Sequence, residues 1–160
     1  ECLNYAVEMS NYPYISKFDD DDYYAPNYLT DILNAFKYTE ADVVGKLTVY
    51  GYLEKNNSLI IRYPNYEHQY VSFVAGSTLT IRKDIFNKLK FPHVSKGEDT
   101  GFLSKCKQKG IKVYSTDRFN HVVIRRPNIT SHSWQISEEH FMKNSRIVTT
   151  TKNYKSIITI

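Results

Sequence analysis

Residues 14–26 read YISKFDDDDYYAP, a short strand-like stretch of apolar and aromatic residues that runs into four consecutive aspartates. Four adjacent carboxylates repel one another, so this segment needs a compensating cation. On extended backbone, side chains two positions apart share a face, so Asp19 and Asp21 can point at one ion. Mg²⁺ or Mn²⁺ is the natural partner, because one or two carboxylates hold such ions while water and substrate phosphates complete their shells. A solvated acidic loop is the alternative.

A calcium-binding loop of the EF-hand type is excluded by position. Such a loop needs glycine at its sixth position and glutamate at its twelfth. Starting at Asp19, those positions hold Tyr24 and Thr30, and starting one residue later they hold Ala25 and Asp31. Neither register fits.

The pattern around the aspartates alternates between strands and helices. β-branched and aromatic residues dominate the predicted strands, and apolar residues at helical spacing dominate the predicted helices. Asn56–Ser58 is a typical turn and predicts a hairpin. The predicted helices cover residues 2–10, 28–36, 83–89, 98–109 and 137–143, and the predicted strands cover 14–18, 43–44, 47–52, 59–62, 70–75, 111–115 and 119–125. This alternation predicts an α/β layered domain over residues 1–145, followed by a strand, an ordered arm or a linker over 146–160.

The composition is that of a folded, water-exposed domain, with 41% hydrophobic and 24% charged residues. The 14 tyrosines suit strands and also surfaces that stack on sugars. The net charge of +4 comes from scattered lysines and arginines, so we expect no nucleic-acid partner. The small excess favours anionic phosphates or the edge of an anionic membrane.

Cysteine usage and hydropathy bear on location. Cys2 and Cys106 lie far apart without metal-type spacing, which favours a reducing, cytoplasmic setting. No apolar run approaches the ~20 residues of a membrane span, and no signal peptide is present. The chain begins at Glu1 without methionine, so we expect it to be a fragment of a longer protein.

A second acidic constellation lies at residues 96–100, which read KGEDT. Gly97 supplies a flexible turn, and Glu98 and Asp99 open a predicted helix, where the positive end of the helix dipole favours carboxylates. Helix capping explains the pair by itself. A carboxylate within hydrogen-bonding reach of an acceptor hydroxyl could also take its proton.

Three blocks, in order and spacing, resemble family 2 glycosyltransferases of the GT-A fold. FDDDDYYAP at 18–26 resembles the family's DxD segment, and AGSTLTIRKDIF at 75–86 resembles its glycine-containing strand and the helix that follows. FP at 91–92 and GEDTGFL at 97–103 resemble its third block. The resemblance implies an α/β fold with a GT-A-type mixed sheet flanked by helices.

The same resemblance implies roles for the acidic residues. Asp19 and Asp21 match the positions that hold the donor's metal and diphosphate, and Asp22 matches an adjacent acid that contacts metal or ribose. Asp99 matches the catalytic base of inverting members, and Glu98 would help to place the acceptor.

Three downstream residues are weaker candidates. His132 lies where some GT-A enzymes supply a histidine metal ligand, and a neutral imidazole could complete an Asp–His site. A structural histidine beside Trp134 is the alternative. Arg125 and Arg126 could bind the phosphates of the departing nucleoside diphosphate, since a guanidinium group suits phosphate oxygens.

The implied activity is a metal-dependent, inverting transfer of a sugar from a nucleotide-diphosphate sugar, for which a UDP-sugar is the first expectation, to an acceptor hydroxyl. Expected partners are this donor and a glycan or lipid-linked acceptor, with peripheral association of the parent protein at the inner face of the membrane. Self-association of the fragment is a further expectation. One departure matters: only about one helix precedes the DxD strand, so we expect the N-terminal nucleoside-binding strands to be missing.

Two rival functions remain open from the sequence. The first is a non-catalytic carbohydrate- or metal-binding remnant of such a domain. The second is a glycosidase, which also needs two carboxylates. The aspartate quartet argues against a glycosidase, because packed like charges suit a metal better than an acid–base pair.

Overall fold

The computed structural model describes residues 2–128, 130, 132 and 134–160. In this part of the chain, ten strands form two five-stranded mixed sheets, and helices flank both. The strands are β1 Tyr14–Ser16, β2 Tyr23–Tyr24, β3 Val43–Gly45, β4 Val49–Leu53, β5 Ser58–Arg62, β6 Gln69–Val71, β7 Thr80–Arg82, β8 Val113–Ser115, β9 His121–Arg125 and β10 Ser145–Thr150. The α-helices are α1 Cys2–Met9, α2 Tyr28–Tyr38, α3 Glu98–Gln108, α4 Glu138–Met142 and α5 Lys155–Ile158, and 3-10 helices cover Gly76–Thr78 and Lys83–Asn87.

The first sheet carries the aspartate segment. Its order is β1-β7-β3-β8-β6, with β3 and β8 parallel and the other pairs antiparallel. Helices α1 and α3 cover one face through Val7 and Phe102, and α2 covers the other through Ile32. Only part of the predicted apolar stripe of α2 is buried, because Ile32 faces the sheet while Leu29 and Leu33 are exposed. Burial of such apolar faces is the main source of helix stability in proteins.

The second sheet has the order β10-β5-β4-β9-β2. The predicted hairpin is confirmed as the antiparallel pair β4–β5, and Asn57 in its turn has φ 55°. On one face Ile158 of α5 is buried, and on the other Phe141 of α4 packs against Ile60. Phe141 lies so close to Gly51 that a Cβ there would stand 3.0 Å from its ring.

The predicted elements are confirmed with shifts at their ends. Helix α3 starts at Glu98 as predicted, and Gly110 behind it has φ +66°, a left-handed conformation that glycine adopts at low cost. The predicted capping residue Ser137 accepts a hydrogen bond from the backbone N–H of His140. The predicted helix at 83–89 is a 3-10 helix, Lys83–Asn87. The aspartates follow a strand of only three residues.

The C-terminal segment is more ordered than a tail or linker. Residues 145–150 form β10, which pairs with β5, and Ile158 is completely buried. Of the alternatives for 146–160, the structure has the strand, because residues 145–150 complete the second sheet. None of the described helices is long and apolar enough to span a membrane.

Candidate active site

The segment that follows β1 is held against the 3-10 helix Gly76–Thr78. The backbone N–H of Asp19 donates to the Tyr24 hydroxyl at 2.9 Å, and that hydroxyl donates to the carbonyl of Ser77 at 2.7 Å. The ring of Phe18 packs against that of Tyr24 at a tilt of 46°, with centroids 4.3 Å apart. These contacts hold the start of the aspartate run against the 3-10 helix that precedes β7, so Asp19 lies at the end of the first sheet.

Lys17 joins the two acidic constellations. Its ammonium group donates to Asp19 Oδ1 at 2.7 Å and to Asp99 Oδ2 at 3.1 Å, although the two carboxylates are 80 positions apart (99 − 19). Burial lowers the pKa of Lys17, but the hydrogen bonds and charges of Asp19 and Asp99 outweigh that effect and leave the pKa above its ordinary value. Lys17 is therefore a cation between the two acids.

Asp99 occupies the first turn of α3, an 11-residue helix. Burial raises the pKa of its carboxyl above the ordinary range, and the Lys17 ammonium partly offsets this rise. Asp99 Oδ1 is buried and has no hydrogen-bond partner among the described residues. A Cβ built on Gly76 would stand 2.2 Å from Asp99 Oδ2, so any side chain at position 76 would displace the carboxylate.

Asp21 and His132 are brought together, as a shared site requires. Asp21 Oδ2 lies 2.7 Å from His132 Nδ1, and His132 Nε2 accepts a hydrogen bond from the backbone N–H of Arg126 at 2.9 Å. Because Nε2 is the acceptor, a neutral ring carries its proton on Nδ1, facing Asp21. The Ser131 and Ser133 neighbours of His132 in the motif lie outside the described residues.

Asp22 points into the protein. Its Oδ1 accepts the backbone N–H of Ile124 at 3.1 Å, and its Oδ2 lies 3.3 Å from His121 Nε2. The side chain is only 4% exposed. Both carboxylate oxygens therefore have protein partners, which favours a role in joining the aspartate segment to β9. Contact of Asp22 with metal or ribose remains a prediction.

Arg125 and Arg126 point in different directions. Arg125 is buried, and its guanidinium donates to the carbonyls of Trp134 and Ile136, both at 2.9 Å. The expectation that Arg125 binds phosphate does not fit this geometry, since alternation along β9 directs the side chain toward α4. Arg126 is exposed and is the only one of the pair that is open to a ligand.

The site residues can be compared as a metal-binding set. Asp19 and Asp21 offer hard oxygen ligands on partly exposed side chains, and His132 offers a nitrogen, which is a suitable chemistry for Mg²⁺ or Mn²⁺. Yet no cluster of three or more potential ligands has metal-binding geometry among the described residues. The carboxylates fit such an ion, and His132 fits it only in the tautomer with the proton on Nε2, which would break the hydrogen bond from the Arg126 N–H.

Sequence reasoning missed Lys17 and underrated Gly76. Lys17 lies two positions before Asp19, and alternation along an extended chain would have placed the two side chains on one face. The predicted alternation from Asp19 to Asp21 is not found, because the backbone turns at residues 20–21 and the N–H of Asp22 donates to the carbonyl of Asp19 at 3.4 Å. The approach of Gly76 to Asp99 joins the second and third sequence blocks, and only the fold brings them into contact. Half-buried Glu98 forms no hydrogen bond or ion pair of its side chain within the described residues, so its acceptor-placing role stays a prediction.

A family model described as glycosyl transferase family 2 matches residues 2–94, more than half of the 160-residue chain. The chain belongs to glycosyl transferase family 2. The match covers the first sheet's β1 and the aspartate run, and the two mixed sheets with flanking helices agree with a GT-A-like fold. No curated protein gave a significant match. Asp99 and His132 lie beyond the matched residues, so their roles depend on the geometry described above.

Proposed function

We propose that this glycosyltransferase catalyses a metal-dependent, inverting transfer of a sugar from a nucleotide-diphosphate sugar to an acceptor hydroxyl. The observation that carries the proposal is the Lys17 bridge. It brings Asp99, a buried carboxylate at a helix start, next to Asp19 of the aspartate run. A base for the acceptor and a ligand for the donor's metal thus lie on either side of one ammonium group.

Asp99 has the properties of a general base. Its carboxylate takes the proton of the acceptor hydroxyl while that oxygen forms a bond to the anomeric carbon and the bond to the leaving diphosphate breaks. Burial raises the pKa of Asp99, which makes the ionised form a stronger base than an exposed aspartate. Contact with Gly76 and Lys17 limits where the carboxylate can lie.

Asp19 and Asp21 are the residues that would hold the metal. His132 would join them through Nδ1 in its other neutral tautomer, in which the ring proton lies on Nε2 and the hydrogen bond from the Arg126 N–H is lost. When bound, the metal neutralises negative charge on the leaving nucleoside diphosphate. Arg126, exposed next to His132, can reach phosphate oxygens from the protein side. A UDP-sugar is the donor we propose, and a screen of nucleotide sugars by release of the nucleoside diphosphate tests it.

We also propose the setting of the reaction. The acceptor would be a growing glycan or a lipid-linked saccharide, and the parent protein would act in the cytoplasm at the inner face of the membrane. The net charge of +4 supports attraction to an anionic membrane surface, since each basic residue near such a surface contributes about 1 kcal/mol. Membrane flotation of the full-length protein with and without anionic lipid is the direct test.

The central test is Asp99→Asn in the full-length protein. Loss of the proton acceptor should reduce kcat by about 10²–10⁴-fold, while binding of the donor changes little because Asp99 is proposed to contact only the acceptor. Asp84→Asn, at a side chain that is 61% exposed, is the matched control. Near wild-type turnover in Asp99→Asn would show that Asp99 only stabilises the start of α3.

A non-catalytic binding remnant is the second candidate, and one observation favours it. Both proposed metal-binding aspartates already have partners, Lys17 for Asp19 and His132 for Asp21. A full-length protein that binds a nucleoside diphosphate but never transfers or hydrolyses its sugar would support the remnant and contradict the enzyme.

A further inference from the structure

A cleft lies beside β6, the strand at one end of the first sheet. It has a volume of about 680 Å³, within the ~300–1,000 Å³ of typical small-molecule sites. The segment Tyr63–Phe73 forms most of its wall, and Asn144 with Ser145 closes one end. Nothing in the mechanism proposed above uses this cleft.

The chemistry of the lining is distinctive. None of the eleven described lining residues carries a charge. Four are aromatic, and three of these expose much of their surface: Tyr66 (47%), Tyr70 (52%) and Phe73 (42%). Amide and hydroxyl groups of Gln69 and Ser72 lie among them. Exposed aromatic faces beside neutral donors and acceptors suit a ligand with apolar C–H faces and many hydroxyl groups, and they do not suit an anion.

Hydrogen bonds and an ion pair hold the wall of the cleft in place. Glu67 forms a bidentate pair with Arg118, with distances of 3.0 Å to Nε and 2.5 Å to Nη2, and also accepts the backbone N–H of Arg118 at 2.8 Å. Tyr63 is held at φ 47°, a conformation that bulky residues rarely adopt, and its N–H donates to the carbonyl of Asn144. A preformed wall reduces the entropy lost when a ligand binds.

The wall of the cleft leads along the chain to the candidate active site. Phe73 lies three residues before Gly76, and the position of a Cβ on Gly76 is 2.2 Å from Asp99 Oδ2. Three extended residues span at most ~11 Å, so the Cα of Phe73 lies within that distance of the Cα of Gly76, which in turn contacts the proposed base. A saccharide in the cleft could therefore extend toward Asp99.

We propose that this cleft binds the acceptor as a neutral oligosaccharide, with its sugar rings stacked on Tyr66 and Phe73 and its end directed toward Asp99. That the bound saccharide is the acceptor rests on the proposed function, but its binding needs neither donor nor metal. The cleft thus extends acceptor recognition to sugars beyond the one that reacts. The absence of charge among the lining residues selects neutral over acidic saccharides.

The experiment uses the 160-residue chain and three neutral probes: hexasaccharides of β-linked glucose, α-linked glucose and β-linked N-acetylglucosamine. Binding is followed by NMR shifts of the backbone amides and by calorimetry. At least one probe should shift amides of residues 63–73, and Tyr66→Ala and Phe73→Ala should each weaken it about tenfold, the loss of roughly one aromatic contact. Tyr12→Ala is the control and should bind normally, because Tyr12 is 75% exposed and does not line the cleft.

The outcomes separate the two proposals. Normal binding by Tyr66→Ala and Phe73→Ala with unchanged folding by circular dichroism, or equal loss in Tyr12→Ala, would overturn the cleft proposal. Absence of shifts at 63–73 with all three probes would also overturn it, as would equal binding of an acidic hexasaccharide. Cleft binding in a full-length protein that never transfers sugar would instead refute the proposed function and leave the neutral-saccharide site in place.

Discussion

Lys17 shows how one side chain can set the acidity of another. Its ammonium group lies 3.1 Å from Asp99 Oδ2, inside a partly buried site where charges interact more strongly than in water. Burial raises the pKa of Asp99, and Lys17 opposes that rise. Burial and Lys17 together therefore tune the proposed base, whose carboxylate is more basic than that of an exposed aspartate.

A pH profile tests this coupling. Asp99 must be ionised to accept a proton, so kcat/KM should fall as the pH drops through a pKa above the ordinary aspartate value of 3.8. Lys17→Met removes the opposing charge, so the acidic limb should move to higher pH. Lys88→Met, at an exposed lysine, should leave the limb unchanged. A limb that does not move in Lys17→Met would show that Lys17 does not act on the base.

At the scale of elements, the buried side chain of Asn4 joins α1 to the segment before α3 by hydrogen bonds. Asn4 Nδ2 donates to the carbonyl of Phe91 at 3.0 Å, and Asn4 Oδ1 accepts the N–H of Phe91 at 3.0 Å. This double contact joins α1 to the segment before α3. Val7 adds apolar contact from the same helix.

Asn4→Ala should therefore destabilise the protein. It leaves a buried N–H and a buried C=O of Phe91 without partners, at a cost of about 1–3 kcal/mol. Asn34→Ala, at a side chain that accepts a hydrogen bond from exposed Lys37, should cost no more than about 0.5 kcal/mol. Denaturant unfolding monitored by circular dichroism measures both. A loss in Asn4→Ala as small as that in Asn34→Ala would contradict the assigned role.

At the scale of the whole molecule, both sheets end in open strands. β1 has one strand neighbour among the described residues, β7, and a groove lined by Leu3, Val7 and Ile15 lies beside it. The C-terminal segment does not cover this edge, since its strand β10 pairs with β5 in the other sheet. In the second sheet, the edge strand β10 has a bulge between Ile147 and Thr149, which discourages pairing with another chain.

We expect the 160-residue chain to self-associate through β1. An open edge with apolar surface beside it is a template for another strand. Tyr14→Lys places a charge on this edge and should reduce association in sedimentation velocity, whereas Ile147→Lys on β10 should not. A chain that remains monomeric at all concentrations would contradict this expectation, and loss of association only in Ile147→Lys would assign the contact to β10.

The sequence by itself determined the features that depend on neighbouring residues. The aspartate run after a strand, the β4–β5 hairpin, the Ser137 cap and the start of α3 are local patterns, in which hydrogen bonding and side-chain alternation act over a few positions. The order of the three sequence blocks also carried the family. For such features the residues nearby contain nearly all of the physical information.

Only the tertiary structure decided the contacts between distant segments. It joined Lys17 to Asp99, turned Arg125 toward the carbonyls of Trp134 and Ile136, and made the C-terminal residues a strand of the second sheet. The physical reason is that each of these outcomes depends on which surfaces pack together. A charged or β-branched residue has the same local pattern whether it meets solvent, a ligand or another strand, and only the packed chain distinguishes them.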